Sequence, residues 1–365
     1  MRSRNNKSLK KIIKLFEQVS PIIVSPTRSS LTVSLSNRFF LFRLMQMILN
    51  RIEDNPYLNF ISVLKHYKVL GRFLHGTIRE LHHDRNKSYF KHFFLSDELY
   101  RLVKAELDWI YERNKTVRLT ISKWGIIICD NYKKNQFNAL LFTTHSGSWV
   151  PDHIAKKQTL SAADRYLEED VDVDKIYADI VLQGAGIWID SKLSRFACDY
   201  NRAPEKAIYG DKSEEWVDKL WQKPLAKTQR EWLMEGYHEF YFTLEQLVDT
   251  YRFNIILDGH SMKDVNNRPD ICLLAELAPP FYMPIVQTMK EKLVAGGFKR
   301  VSFDSPFPHG YILWWLHTHF PDVFICMIEI NKKHYMNKTR TKSLSGKISS
   351  LSKVLRKLFH LEEEL

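Results

Sequence analysis

Residues 139–151, ALLFTTHSGSWVP, determine how the middle of this 365-residue chain is interpreted. The apolar run ALLF, followed by polar residues and a glycine, predicts a buried strand that ends in a turn. His145 then lies where the carboxyl end of a strand opens into a loop, the usual place for a ligand in an open α/β sheet. A single histidine at a strand end is also a common structural residue, so this stretch predicts a site only together with the rest of the chain.

Strand-like and helical segments alternate on both sides of this stretch. Short apolar or alternating runs predict strands at residues 117–121, 125–129, 138–143, 186–189, 196–200, 254–257 and 323–330. Helical periodicity predicts helices at residues 164–180 and 214–250. This order is typical of an α/β protein with a mostly parallel sheet flanked by helices, and its ligand site is expected at the carboxyl ends of the strands.

Composition divides the chain into three regions. Residues 1–115 are basic and mainly helical, residues 116–340 carry the α/β pattern, and residues 341–365 contain an amphipathic C-terminal helix that is expected to dock on the body. Within the first region, helical periodicity covers residues 8–19, 39–52, 59–83 and 96–114. Residues 1–140 contain 25 Lys and Arg against 11 Asp and Glu, whereas residues 141–365 contain 29 against 31. The N-terminal region therefore predicts either an anionic partner, such as nucleic acid or an acidic membrane surface, or a solvated basic face.

The composition also limits the class of protein. Hydrophobic residues make up 44% and charged residues 26% of the chain, as in ordinary globular proteins. No run of about 18 apolar residues is present, so we expect no transmembrane segment, and no secretory signal is recognisable. The four cysteines are scattered and lack metal-knuckle spacing, which predicts buried free thiols and a cytoplasmic location.

Polar and charged residues follow or end four of the predicted strands. His145 follows the first, residues 199–202 (DYNR) and 258–261 (DGHS) follow two others, and Glu329 lies at the end of the last. Because an unpaired buried charge is costly, this repetition favours a functional site. Two histidines on separate strands with carboxylates nearby are typical of a zinc site with an open position. A lone glutamate at another strand end would suit a general base acting on metal-activated water.

Residues from about 140 to 340 resemble the N-formylglutamate amidohydrolase family through short motifs in the same order. The motifs are residues 145–147 (HSG) with Pro151, Asp170 with residues 173–177 (VDKIY), 194–202 (SRFACDYNR) with Pro204, 237–238 (YH), 258–261 (DGHS), 268–270 (RPD), 306–312 (PFPHGYI) and 328–330 (IEI). A single motif is weak evidence, whereas the ordered combination is fairly specific. Since that family is similar in fold to the zinc carboxypeptidases, the resemblance implies a twisted α/β sheet and one catalytic Zn²⁺ per chain.

The resemblance implies that His145 and His260 are the two histidine ligands of this zinc. In the carboxypeptidases an acidic ligand stands three residues after the first histidine, and Ser148 occupies that position here. A carboxylate from elsewhere must then complete the site. Asp170 is the first candidate, because it opens the matched segment that ends at residue 177. Two other acidic residues are alternatives, Asp174 and Asp152.

The resemblance also assigns groups for substrate binding and catalysis. Asn201 and Arg202 match the pair that holds the substrate's carboxylate, a task that suits a guanidinium fork. Glu329 matches the glutamate that activates water or shuttles its proton.

Four further residues are expected to support this site. Asp199 and Asp258 would orient Arg202 and the second histidine, respectively. Arg195 would add to the anion pocket or pair with an aspartate, and Tyr311 would line the substrate pocket.

The sequence therefore predicts a zinc-dependent hydrolase that cleaves the amide bond of an N-acyl, N-formyl-like amino acid by metal-activated water. Glu329 would act as the base, and Arg202 would hold the substrate's carboxylate. Two other functions remain open. One is a carboxypeptidase-like peptidase that takes short peptides at the same site, and the other is a non-catalytic protein whose basic region binds nucleic acid or membrane.

Overall fold

The computed structural model describes residues 79–80, 82–84, 87–89, 97–122, 124–210, 220–307 and 309–359. The helices predicted at residues 8–19 and 39–52, and most of the one at residues 59–83, lie outside these ranges. The end of that last prediction is wrong, because Arg79–Glu80 (β1) and His82–Asp84 (β2) are strands. Strand β2 pairs with Lys87–Tyr89 (β3) in a separate hairpin. An anionic partner of residues 1–115 stays a prediction.

A nine-stranded mixed sheet forms the centre of the described part of the chain. Besides β1 it contains β4 (Arg118–Ile121), β5 (Ile126–Asn131), β6 (Ala139–Thr143), β7 (Gly186–Ser191), β8 (Ile255–Met262), β9 (Ile271–Leu274), β10 (Val301–Phe303) and β11 (Ile325–Asn331). The strands lie in the order β1-β4-β5-β7-β6-β8-β11-β9-β10.

The four central strands β7, β6, β8 and β11 run parallel to one another, and antiparallel pairs lie towards both edges. Among the eight strands β4 to β11, four of the seven pairings are parallel and three antiparallel, and β1 adds one antiparallel pairing at the edge of the sheet. The predicted α/β fold with a mostly parallel sheet is thus confirmed. The carboxyl ends of β6, β8 and β11 meet at one edge of this sheet, which makes that edge the expected place for a site.

Helices occur on both sides of the sheet. They are α1 (Asp97–Arg113), α2 (Asp152–Ala155), α3 (Ala162–Glu168), α4 (Val173–Tyr177), α5 (Asp179–Leu182), α6 (Lys227–Thr250), α7 (Met283–Ala295), α8 (Tyr311–His319) and α9 (Ser345–Phe359). None of these described helices is long and apolar enough to cross a lipid bilayer.

Aromatic contacts show how the helices cover the sheet. The ring of Phe142 in β6 lies 6.0 Å from that of Phe240 in α6, and Trp188 in β7 lies 6.4 Å from Trp109 in α1. Leu141 is the register partner of Trp188, and successive strand residues point to opposite faces, so α6 and α1 lie on opposite faces of the sheet. Every residue of β6, β7 and β8 is buried, as expected for strands covered on both faces.

The C-terminal helix and the cysteines agree with their predictions. Helix α9 packs on α4 and α5 and buries the face that carries Leu351, Leu355 and Leu358, so its predicted docking is confirmed. The four cysteines are free and buried, as predicted from their spacing.

Three predicted elements differ from the observed ones. The helix predicted at residues 164–180 is interrupted after Glu168, and Asp172 adopts the left-handed conformation with φ of 63° before α4 begins. Residues 196–200 form turns rather than a strand, because the backbone N–H groups of residues 197 and 198 bond to the carbonyl of Ser194. Of the helix predicted at residues 214–250, residues 214–219 lie outside the described ranges, residues 220 and 222 instead pair with residues 157–159, and the described helix begins at Lys227.

Candidate active site

Three neighbouring parallel strands bring predicted site residues together at their carboxyl ends. His145 follows β6 by two residues, His260 lies within β8, and Glu329 lies within β11. Strand β8 lies between the other two, and His260 and Glu329 are register partners. These two residues lie inside strands rather than in the following loops, because β8 and β11 remain paired as far as Met262 and Asn331.

The side chains of His145, Asp170 and His260 form a buried cluster whose candidate ligand atoms all lie within 4.8 Å of one another. The Oδ2 atom of Asp170 lies 3.1 Å from Nδ1 of His260 and 3.8 Å from Nδ1 of His145. The Nδ1 atom of His145 is buried and has no hydrogen-bond partner among the residues that the structure describes. Two imidazole nitrogens and one carboxylate oxygen are ligand types of catalytic zinc sites, so these residues fit a divalent cation.

A buried aspartate lies beside the second nitrogen of each imidazole, as a hydrogen-bond partner of His145 and as an ion-pair partner of His260. Nε2 of His145 lies 2.6 Å from Oδ1 of Asp199, and Nε2 of His260 lies 2.9 Å from Oδ1 of Asp258. Histidines that bind metals commonly donate their other N–H to a carboxylate, which fixes the tautomer and the orientation of the ring. The resemblance implied that Asp199 orients Arg202. The Nε atom of Arg202 lies 3.9 Å from Oδ2 of Asp199, so the contact of Asp199 with His145 is the shorter of the two.

Asp170 reaches the cluster from the connection between α3 and α4. Its backbone N–H donates to the carbonyl of His145 at 3.1 Å, and the hydroxyl of Ser261 donates to its Oδ1 atom at 2.9 Å. Oδ2 is the atom that lies near both Nδ1 atoms. The structure does not bring the two alternative acids to the cluster, since Asp152 is exposed in α2 and Asp174 forms a buried ion pair elsewhere.

Burial and neighbouring charges set the protonation of these groups. Burial favours the neutral form of Asp170, but its hydrogen bond to His260 and the charge of that ring outweigh burial and lower the pKa of Asp170 to about 2. Burial lowers the pKa of His145, whereas the Asp258 carboxylate overcomes burial and raises the pKa of His260 well above its usual value. Burial raises the pKa of Glu329 to about 7, so this carboxyl can exchange a proton near neutral pH.

Arg195 lies in the turns that replace the predicted strand at residues 196–200. Its Nη2 donates to Oδ2 of Asp199 at 2.9 Å and its Nε donates to the hydroxyl of Tyr209 at 3.1 Å. The Tyr209 hydroxyl also donates to Asp199. Arg195 therefore pairs with Asp199 and orients the carboxylate that is hydrogen-bonded to His145.

Asn201 and Arg202 lie side by side at the cavity but have different surroundings. The Nδ2 atom of Asn201 lies 3.3 Å from Oδ2 of Asp258, and its Oδ1 accepts the backbone N–H of Ile312 at 3.0 Å. A Cβ at Gly310 would lie 2.4 Å from the Asn201 amide, so only glycine fits where this amide meets the start of α8. The Arg202 side chain is 35% exposed and lines the cavity, where it can meet an anion from solvent.

The cluster opens into a cavity of about 790 Å³, within the range of pockets that hold small organic molecules. Glu329 and Arg202 line it together with the cluster. The lining also includes three aromatic and four basic side chains: Phe307, Tyr311, Trp314, Lys206, Lys263, Arg268 and Lys332. Tyr311, predicted to line the pocket, stacks on Trp314 with ring centroids 5.3 Å apart.

Sequence reasoning missed several residues that support this site. They are Ser261, Tyr209, Trp314 and Lys332. Ser261 was visible within the DGHS motif, where it directly follows a predicted ligand. Lys332 carried no local signal, because its contact with Glu169 joins residues that are 163 positions apart.

Comparisons with protein families and with solved structures show what this chain is similar to. The family model described as N-formylglutamate amidohydrolase matches residues 137–336. The fold is similar to that of N-formylglutamate amidohydrolase from Ralstonia eutropha JMP134, at 15% identity and a TM-score of 0.51 over 65% of this chain and 96% of that one. A gene product from Agrobacterium tumefaciens aligns at 15% identity, TM-score 0.49, over 64% and 92%. A metallo-carboxypeptidase from Burkholderia cenocepacia aligns at 8% identity, TM-score 0.36, over 72% and 69%. No significant match occurs among curated proteins.

Proposed function

The chain belongs to the N-formylglutamate amidohydrolase family, and from this membership we propose that it is a zinc-dependent hydrolase that cleaves the amide bond of an N-acyl amino acid. The observation that carries this proposal is the convergence of two Nδ1 atoms on one Asp170 oxygen, with Glu329 in register beside His260. The family itself supports an amidohydrolase acting on a small molecule. The metal and the residue roles are the further steps proposed here.

His145, His260 and Asp170 would hold the ion through Nδ1, Nδ1 and Oδ2. We propose zinc because catalytic zinc sites combine three such protein ligands with an open fourth position. When bound, Zn²⁺ supplies Lewis-acid polarisation of the amide carbonyl and lowers the pKa of a water molecule. The aspartates at the two Nε2 atoms would keep both rings oriented towards the ion.

Glu329 is the proposed general base and acid. Its side chain is partly buried at the cavity, and Oε2 has no hydrogen-bond partner among the described residues. Because burial raises its pKa to about 7, the carboxylate can take a proton from water and then donate it to the leaving nitrogen. A carboxyl with an ordinary pKa near 4 would be a weaker acid catalyst at neutral pH because almost none of it would carry the proton.

Arg202 is the proposed partner of the substrate's carboxylate. Its partly exposed guanidinium lines the same cavity as the cluster and offers the fork that binds carboxylates in a bidentate manner. Asn201 would support it indirectly, since its amide contacts Asp258 and the start of α8. The four free, buried cysteines support a reducing compartment, and we propose the cytoplasm.

Metal content and hydrolysis, measured on the same preparation, test this proposal. Purified protein should contain about one zinc per chain and should release amine from N-formyl or N-acetyl amino acids. His260→Ala should lose both the metal and the activity, while His238→Ala, an exposed histidine on α6, should keep both. A wild-type protein that takes up no zinc, or an H260A variant that remains active, would contradict the proposal.

A peptidase acting at the same site is the second candidate. The cavity volume of about 790 Å³ and the stacked rings of Tyr311 and Trp314 leave room for more than a formyl group. A panel of N-formyl amino acids, N-acetyl amino acids and dipeptides with free C-termini separates the two functions. Turnover of dipeptides without turnover of N-acyl amino acids would favour the peptidase.

A further inference from the structure

Lys332 is a buried lysine that the proposed chemistry does not use. It is the first residue of the 3₁₀ turn Lys332–His334, which directly follows β11, and its side chain is 3% exposed. Its ammonium donates to the carbonyls of Leu167 and Glu169, both at 2.8 Å. The lysine thereby joins the strand that carries Glu329 to the segment that carries Asp170.

These two carbonyls belong to the residues just before Asp170. Helix α3 ends at Glu168, and the chain then bends through residues 169–172 to reach α4. Backbone hydrogen bonds from the N–H groups of Glu169 and Asp170 to the carbonyls of Arg165 and His145 hold part of this connection, and side-chain contacts add to them in fixing its path. By binding carbonyls on both sides of residue 168, Lys332 fixes the path of the backbone as it enters Asp170.

A second contact from the same turn reaches the Asp170 side chain. The hydroxyl of Tyr335 donates to the hydroxyl oxygen of Ser261 at 3.0 Å, and Ser261 donates to Oδ1 of Asp170 at 2.9 Å. Residues 332–335 therefore constrain Asp170 through its backbone and through its carboxylate. Both contacts act on the residue that stands in for the acidic ligand missing at Ser148.

A gain in folding stability does not explain why this lysine is buried. Burying an ammonium costs free energy that two carbonyls only partly return, and well-packed apolar replacements of buried ions are often neutral or stabilising. Burial indeed lowers the pKa of Lys332, with the charges of Asp170, Glu168 and Glu329 opposing that shift. A cost of this kind is reasonable where the geometry of a ligand must be fixed.

We propose that Lys332 is a positioning residue that holds Asp170 in place for metal binding, an inference that rests on the proposed function. It contacts the chain through backbone carbonyls, so its effect should be on metal affinity rather than on the chemical groups of the reaction. Residues that orient metal ligands typically contribute 10–100-fold to affinity. We therefore expect Lys332→Met to weaken zinc binding by roughly 10–100-fold.

Competition with a chromophoric chelator measures this affinity on the full-length protein, and thermal unfolding of the metal-free protein measures the fold. Lys332→Arg keeps the charge and the N–H donors and should retain most of the affinity. Lys333→Met is the matched control in the same turn, because Lys333 instead contacts Oδ1 of Asp270 at 2.5 Å. Its zinc affinity should equal that of the wild type.

The outcomes distinguish the proposed function from the role of Lys332. Wild-type protein without zinc affinity would overturn the proposed function and this inference with it. Zinc-binding wild-type protein with an equally tight Lys332→Met variant would overturn the role of Lys332 alone. If the Met variant does not fold, Lys332→Gln replaces it, because this side chain keeps a polar N–H donor but is too short to hold both carbonyls, and it should weaken zinc binding while the metal-free protein keeps its melting temperature. Zinc affinity equal to that of the wild type in the Gln variant would equally overturn the role of Lys332.

Discussion

Replacing Glu106 by glutamine should remove a pH dependence from the stability of the protein. Glu106 lies in α1, is 7% exposed, and accepts a hydrogen bond from Nζ of Lys192 at 3.0 Å. The same ammonium lies 2.9 Å from Asp174 and 2.6 Å from Asp190, so three buried carboxylates share it. Because α1 precedes the family match at residues 137–336, this cluster joins the preceding helix to the family domain.

The magnitude follows from the pKa of Glu106. Burial raises it from 4.5 to about 7, with Lys192 opposing the shift and Asp174 and Asp190 adding to it. A carboxyl with a higher pKa in the folded than in the unfolded protein binds its proton more tightly when folded, so protonation stabilises the fold. This stabilisation is fully present below pH 4.5 and is lost as the pH rises through about 7. A difference of this size between the folded and unfolded pKa is worth about 3 kcal/mol, most of it between pH 5 and pH 8.

Urea unfolding at pH 5 and pH 8 measures this effect. The free energy of unfolding of Glu106→Gln relative to wild type should rise by about 2–3 kcal/mol between the two pH values, because the amide cannot ionise. Glu112→Gln, an exposed glutamate on the same helix, should follow the wild type at both. Parallel pH profiles for wild type and Glu106→Gln would refute the reasoning that this carboxyl is held in its neutral form by burial among other acids.

Three further predictions concern the site and its frame. Glu329→Gln should lower kcat roughly 10²–10⁴-fold without changing zinc content, and wild-type activity should fall as the pH drops through about 7, where the base becomes protonated. Arg202→Met should raise KM for N-acyl amino acids roughly tenfold or more. In steady-state kinetics, KM for analogues that carry an amide in place of the carboxylate should stay unchanged. Gly147→Ala should lower the melting temperature, because its Cβ would lie 2.3 Å from the Ser191 carbonyl oxygen, whereas Gly346→Ala, with nothing within 4 Å, should not.

The sequence predicts most of what the parallel strands determine. His145, His260 and Glu329 could be brought together from the pattern because strands of one sheet that run parallel end at the same edge. Their burial was also foreseeable, since each belongs to or follows an apolar run. The prediction failed for residues 196–200, where an apolar composition suggests a strand but the backbone bonds to Ser194 close turns. Apolar runs of this length do not distinguish a strand from a buried turn.

The interactions that complete the site cannot be predicted from local sequence patterns. Helical periodicity runs through residues 164–180, yet the helix stops before Asp170 and resumes after a left-handed residue. The ion cluster of Lys192 shows the same limit, because its bond to Glu106 joins residues 86 positions apart. Periodicity reports which face of an element is buried, whereas these contacts depend on how separate elements meet in three dimensions.

The charges around the cluster explain why polar strand ends were a useful signal. Asp170, Asp199, Asp258 and Glu329 gather within a largely buried volume, where Arg195 and the ring of His260, whose pKa is raised, offset part of their negative charge. Concentrating carboxylates in this way works against folding unless positive charge or protons are taken up. Glu329 meets this cost by its raised pKa, and a divalent cation at the two Nδ1 atoms would meet it for the rest. The repetition that looks unfavourable in a sequence is therefore what a cation site requires, and in the proposed site Asp170 would supply the acid that Ser148 does not.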